Sequence, residues 1–249
     1  MILSGFRIDR GLACAMAMMA AAMLAPRASA QEPPVHDNPI RSFVLVDQLE
    51  YAFRKDANAI RFNGLSWIGG DYNRLWINTE GSKATNQSVE DTDVQLLYGR
   101  LIAPFWDVQG GVRYFRPRAN APSRGSAVIG ITGLSPYRFE VQAASFISTK
   151  GEVSGRVELE YELYMTQRLV AQPRFETNVA IQRAPELGIG RGFNDAELGI
   201  RLRYEIKREF APYVGVSWTS RFGETADFAR ARGDTVRTLG FVVGVRMWR

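Results

Sequence analysis

Carboxylates recur at every second position in Glu158, Glu160 and Glu162, and two later stretches interleave acids with arginines, first Arg174 and Glu176, then Glu197, Arg201, Arg203 and Glu205. Such sets can do two kinds of chemistry. Closely spaced carboxylates attract cations or share protons, and guanidinium groups neutralise carboxylates through two-point hydrogen bonds. Nucleophilic or general-base catalysis needs a base beside its partner, most often histidine. His36 is the single histidine and precedes every predicted strand, so no Ser-His or Asp-His constellation can be assembled and the chain reads as a non-enzyme.

The spacing also identifies the elements that carry these charges. From 153 to 165, Val153, Gly155, Val157, Leu159, Tyr161, Leu163 and Met165 share one face of a strand, while Arg156, Glu158, Glu160, Glu162 and Tyr164 share the other. The pattern returns with Ala171, Phe175, Val179 and Ile181 opposing Gln172, Arg174, Glu176 and Asn178. It returns again with Leu198, Ile200, Leu202, Tyr204 and Ile206 opposing Glu197, Arg201, Arg203 and Glu205. Runs of about ten residues exceed the five or six of an ordinary soluble strand. No apolar run after residue 31 approaches the roughly eighteen residues of a membrane helix.

This periodicity predicts an all-β chain, a closed antiparallel transmembrane β-barrel of about twelve strands, with ten to fourteen compatible. The strands are placed at 42–54, 59–69, 72–81, 92–102, 106–116, 126–134, 138–148, 152–165, 169–183, 194–207, 211–223 and 238–248. With a periplasmic N-terminus, short turns fall near Gly70, Pro104, Pro136, Thr166 and Lys207. Longer connections fall on the other side, at 81–91, 118–124, 184–193 and 224–237. Trp67, Trp76, Trp106, Tyr137 and Trp218 stand near strand ends and are read as interfacial girdle residues. Closure follows from the solvent, because an open edge in hydrocarbon strands backbone donors and acceptors at several kcal/mol each. The charged faces then point inward, either as a self-neutralising network that fills a small lumen or as an ion path.

The first thirty residues read as a cleaved signal peptide, with basic Arg7 and Arg10, an apolar stretch from Gly11 to Leu24, and Ala28-Ser29-Ala30 before Gln31. Residues 31–41 form a short periplasmic segment and 42–249 the barrel. Cleavage removes Cys14, so the mature chain has no thiol for a disulfide, a metal or catalysis. It also removes three cations and one anion, lowering the formal charge from +5 to +3. Bases interleaved with acids give no nucleic-acid surface, and outer-membrane lipid is the predicted surroundings.

Several strings then become recognisable together: DQLEY (47–51), WIGGDYNRLW (67–76), LIAPFWDVQGGVRY (101–114), PELGIG (185–190), ELGIRLRYEIKREFAPYVGVSW (197–218) and FGETADFAR (222–230). In this order they resemble the outer-membrane copper resistance protein B family over residues 38–248. The resemblance implies a bacterial outer-membrane barrel that acts in copper tolerance beside periplasmic copper-resistance proteins, by binding or exporting copper. Family members commonly carry a Met- and His-rich segment before the barrel, which supplies the soft and imidazole ligands copper prefers. Here that stretch is QEPPVHDNPI (31–40), and Met165 and Met247 are the mature chain's thioethers, both on the lipid-facing parity. The candidate copper ligands are therefore His36, Asp37 and Glu32, a weak Cu(II) set of imidazole and carboxylates. The alternative is a general porin-like or structural barrel whose copper role has weakened.

Two further strings carry no assigned chemistry. GIGRG (188–192) lacks the Lys-Ser/Thr of a phosphate loop and reads as turn glycines, and Arg232-Gly233-Asp234 reads as a loop tripeptide arising by chance.

Overall fold

Alternating sequence becomes alternating side-chain direction along long antiparallel strands. The computed structural model describes residues 39–85, 89–118 and 120–249. The expected signal peptide and the candidate ligands Glu32, His36 and Asp37 lie outside the described residues.

The strands are β1 (Arg41–Arg54), β2 (Ala59–Gly69), β3 (Asn73–Ala84), β4 (Val89–Ala103), β5 (Trp106–Arg116), β6 (Arg124–Leu134), β7 (Phe139–Ser148), β8 (Val153–Tyr161), β9 (Leu163–Tyr164), β10 (Leu169–Ala180), β11 (Gly192–Tyr204), β12 (Phe210–Arg221) and β13 (Arg237–Trp248). Segments β8 and β9 are parts of one strand, so the barrel has twelve. Each pairs with its neighbour in sequence, and β13 returns to β1 from Leu45↔Trp248 to Arg54↔Gly240, which closes the sheet. Every ladder is thereby paired, as hydrocarbon demands. At the C-terminus, Arg249 exchanges both backbone hydrogen bonds with Val44 at 2.9 Å.

Short turns at 70–72, 104–105, 135–138, 165–168 and 205–209 share one rim with both described chain ends. The longest connections, 181–191 and 222–236, stand on the other. Apolar side chains on the outward parity form the lipid belt: Leu239 is 67% exposed, Ile129 61% and Val112 60%. In water so large an apolar surface would be a liability, whereas against lipid it is the requirement.

Four details depart from the sequence reading. The strand placed at 152–165 is interrupted at Glu162, whose carboxylate is held by Arg203 Nη2 at 2.6 Å and the Tyr164 hydroxyl at 2.7 Å. The connection placed at 81–91 is shorter, because β3 runs to Ala84 and β4 starts at Val89. The last outer connection contains a helix, α1 (Gly223–Ala231). Nine residues are marginal as an isolated helix, and α1 is held by tertiary contacts: Ala226 and Ala229 are buried, and Thr225 Oγ1 accepts from Gly190 N and donates to Asn194. Finally, Trp67 and Trp76 point inward and pack on each other at 6.0 Å, because each lies on the lumenal parity of its strand.

Candidate functional site

The lumen is where the inward-facing chemistry converges, and its two walls differ. On the wall built by β8 to β12 together with β1 and β2, arginines and carboxylates pair across strands. Arg61 donates to both Glu197 oxygens at 2.7 and 2.6 Å. Arg201 donates to both Glu50 oxygens at 3.0 and 3.1 Å and to Gln48 at 3.1 Å, while the Tyr213 hydroxyl donates to Glu50 at 3.1 Å. Arg174 reaches Glu158 at 2.6 Å and Glu176 at 3.0 Å. Arg203, 1% exposed, holds Glu162, Gln172 and Glu205. Removing charges from water costs several kcal/mol per ion, and paired two-point geometry is what offsets it.

All nine lumenal residues singled out in the sequence, Glu158, Glu160, Glu162, Arg174, Glu176, Glu197, Arg201, Arg203 and Glu205, therefore lie in one region. Their partners from outside the set are Glu50, Arg61, Arg156 and Arg246, and Asp47, Glu80, Asp93 and Arg113 extend the network through Arg246 and Arg156. Most of these were readable by parity, since Glu80 follows Trp76 and Asn78, and Asp93 precedes Gln95. Asp47 was not. Register shifts around Val46–Leu49 on both edges of β1 make Asp47 an extra residue, so Asp47 and Gln48 both turn inward. Asp47 then accepts from Arg246 at 2.8 Å.

The opposite wall, β3 to β7, has an apolar and amide-rich centre beside two ion pairs of its own, Arg113–Asp93 and Arg74–Asp107. Trp76, Leu97, Val128 and Phe146 form a buried cluster, and their cross-strand register runs Trp76↔Leu97↔Gly111↔Val128↔Phe146. Gly111 occupies a close approach, because a Cβ there would sit 2.0 Å from the Leu96 carbonyl oxygen. Beside this cluster, Asn78, Gln95, Gln109 and Gln142 join Glu80, Glu158 and Arg156 around an internal cavity of about 40 Å³. That volume admits water-sized occupants.

Where the walls meet, on β7 and β8, carboxylates line up. Glu140 stands directly across from Glu160, and Gln142 across from Glu158. Glu140 and Glu162 open onto a periplasmic vestibule of about 1070 Å³, whereas Glu80 and Glu176 line an outer vestibule of about 350 Å³. The two vestibules share no lining residue. Like charges directly opposite one another are unfavourable, so the Glu140–Glu160 step favours either a shared proton or a cation between them. Among the described residues no three His, Cys, Asp or Glu side chains come together in a set suited to holding a metal ion.

This architecture defines a class: a small outer-membrane β-barrel with a filled, charged interior. The same fold occurs in the NanC porin (TM-score 0.56, 12% identity, covering 82% of this chain and 98% of that one). It occurs also in the outer membrane phospholipase A from Escherichia coli (TM-score 0.50, 13% identity, covering 83% and 92%). Porin and enzyme thus share the scaffold, so the scaffold alone does not choose between them.

The chain belongs to the copper resistance protein B family. The family model described as copper resistance protein B precursor matches residues 40–249. Copper resistance protein B of Escherichia coli is 42% identical over 215 residues, covering 86% of this chain and 71% of the relative. The homolog from Pseudomonas syringae pv. tomato is 40% identical over the same length, covering 86% and 72%. Family and fold together give a bacterial outer-membrane location, contact with lipid, and a role in copper resistance.

Proposed function

We propose that the barrel exports copper ions, with the cation as cargo passing from the periplasmic vestibule along the β7–β8 carboxylates and through the amide-lined cavity to the outer vestibule. The observation that carries this reading is the ordered series Glu140 and Glu162, then Glu160, then Glu158 and Gln142, then Glu80, which lies between the two vestibules. Carboxylate and amide oxygens attract Cu(II) without the grip of a thiolate or multi-imidazole set, and conduction requires binding weak enough to leave. The salt-bridged wall acts as scaffold, holding the series in register. His36, Asp37 and Glu32 would serve as a weak collecting point for copper before the barrel, and periplasmic copper-resistance proteins would deliver the ion there.

A deletion strain grown in graded copper tests the reading. The natural gene restores tolerance, while a Glu140→Gln, Gln142→Leu gene restores less although equal folded barrel reaches the outer membrane. Full rescue by that variant would remove the path from the mechanism. Equal rescue by an unrelated small barrel would leave a general porin-like role.

A further inference from the structure

Two strings left without chemistry by the strand pattern meet at the outer mouth of the lumen. Gly188, from GIGRG, adopts φ +75°, and a Cβ placed there would lie 2.9 Å from Arg232 Nη1 and 3.2 Å from Arg118 Nη2. Two guanidinium groups from different connections thus converge over a turn that presents no side chain. Both line the outer vestibule, together with Arg221.

Charge is unevenly compensated here. Asp234 accepts from Arg232 Nε at 3.0 Å and lies 3.9 Å from Arg118 Nη1, so one carboxylate serves two guanidinium groups. Arg221 donates to the neutral Thr235 carbonyl at 2.6 Å. Deeper in the lumen the pattern is different, with Arg61 on Glu197, Arg156 on Glu80 and Asp93, and Arg174 on Glu158 and Glu176. Burial holds Arg118 below the ordinary guanidinium range, and the neighbouring charges of Arg232 and Arg221 add to the effect while Asp234 opposes it. Arg118 and Arg232 keep about a third of their side-chain surface accessible, so an incoming group can reach them.

Planar guanidinium forks match tetrahedral oxyanions through parallel N–H donors, and a pair sharing one carboxylate retains net positive charge to attract one. We propose that Arg118 and Arg232, seated over Gly188, form a binding site at the outer mouth for a phosphate-class oxyanion. The site stands independently of the copper path. Its occupation would also lower the positive barrier that a departing cation meets at this rim.

Inorganic phosphate is the probe, titrated calorimetrically into the purified full barrel in detergent at low ionic strength, with folding checked by heat-modifiable migration. The natural barrel binds phosphate, the Arg118→Gln, Arg232→Gln variant binds at least about tenfold more weakly, and Lys55→Gln, which removes an exposed cation of the same rim outside the vestibule, matches the natural protein. On the natural barrel alone, phosphate should protect Arg118 and Arg232 from an arginine-directed dicarbonyl reagent, read by mass spectrometry. Absence of phosphate uptake, unchanged affinity in the double variant, or absence of protection would each overturn the site. Repeating the titration in vesicles with and without lipopolysaccharide identifies the source. Uptake abolished by lipopolysaccharide assigns the site to lipid phosphate, and unchanged uptake assigns it to a soluble anion.

Discussion

The two walls of the lumen solve the same problem, filling a narrow barrel, with opposite chemistry. The β8–β12 wall with β1 and β2 is stitched by charge: Glu50 and Arg201 are each 2% exposed and bind each other through two hydrogen bonds. The β3–β7 wall is filled by Trp76, Leu97, Val128 and Phe146, and its polar groups are less completely used. Trp76 Nε1, Asn78 Oδ1 and Asp107 Oδ1 are buried without a hydrogen-bond partner. A wall stitched by ion pairs, with Arg203 Nε and Ser220 Oγ as its own unpartnered atoms, resists rearrangement, because breaking one pair exposes the other charge to a low-dielectric interior. A wall with spare donors and acceptors can accept a passing hydrated ion. The contrast sets a charge-stitched half of the lumen against one with spare donors and acceptors; the proposed path runs along their seam, where Glu158, Glu162 and Glu80 are held by Arg174, Arg203 and Arg156.

Arg201→Ala should break this contrast most severely. It leaves buried Glu50 with Arg61, 3.7 Å away, and Tyr213 as partners, and removal of one partner from a buried pair costs about 3–5 kcal/mol. The midpoint of urea unfolding in bilayers measures it; a loss under about 1 kcal/mol would mean that the charged wall is no scaffold. Leu97→Ala on the other wall should cost about 2–3 kcal/mol, toward the low end for a core truncation because polar groups beside the site admit water. Parity between the two substitutions would erase the contrast.

Glu140→Gln should separate stability from transport. It relieves a like-charge pair with Glu160, so the barrel should be unchanged or stabilised by up to about 1 kcal/mol, while copper flux falls several-fold. A destabilised barrel with natural flux would reverse both halves of the argument.

The smallest effect belongs to the rim. Lys150 and Arg124 hold Glu186 on the outer connection, and these hydrogen bonds keep its carboxyl below the ordinary range. A lowered carboxyl contributes above the unfolded value and loses its contribution as pH falls through the folded one. A spin label at Arg183→Cys should therefore stay immobile at neutral pH and loosen only in strongly acidic solution. Adding Glu186→Gln should give the loosened spectrum at neutral pH, with folding of the barrel unaltered.

The charged wall was largely legible in the sequence, because alternation in Val153–Met165 and its two successors prints each inward residue at a fixed parity. Partners on β1 were hidden by the bulge that turns Asp47 inward beside Gln48, which strict alternation cannot anticipate. The apolar wall was obscured for another reason. Trp67 and Trp76 sit near strand ends, where aromatics facing lipid and aromatics facing the lumen look alike until register is known. Helix α1 was missed because its stability comes from Gly190 and Asn194, distant in sequence. The meeting of Arg118, Gly188 and Arg232 likewise depends on three separate connections.

Copper flux into proteoliposomes, followed by an internal copper-sensitive dye, tests the proposed path most directly. The natural barrel should carry copper above empty vesicles, and Glu140→Gln with Gln142→Leu should reduce that flux several-fold in barrels that remain fully folded. Natural flux equal to that of empty vesicles, or undiminished flux through the folded variant, would contradict a copper path along β7 and β8.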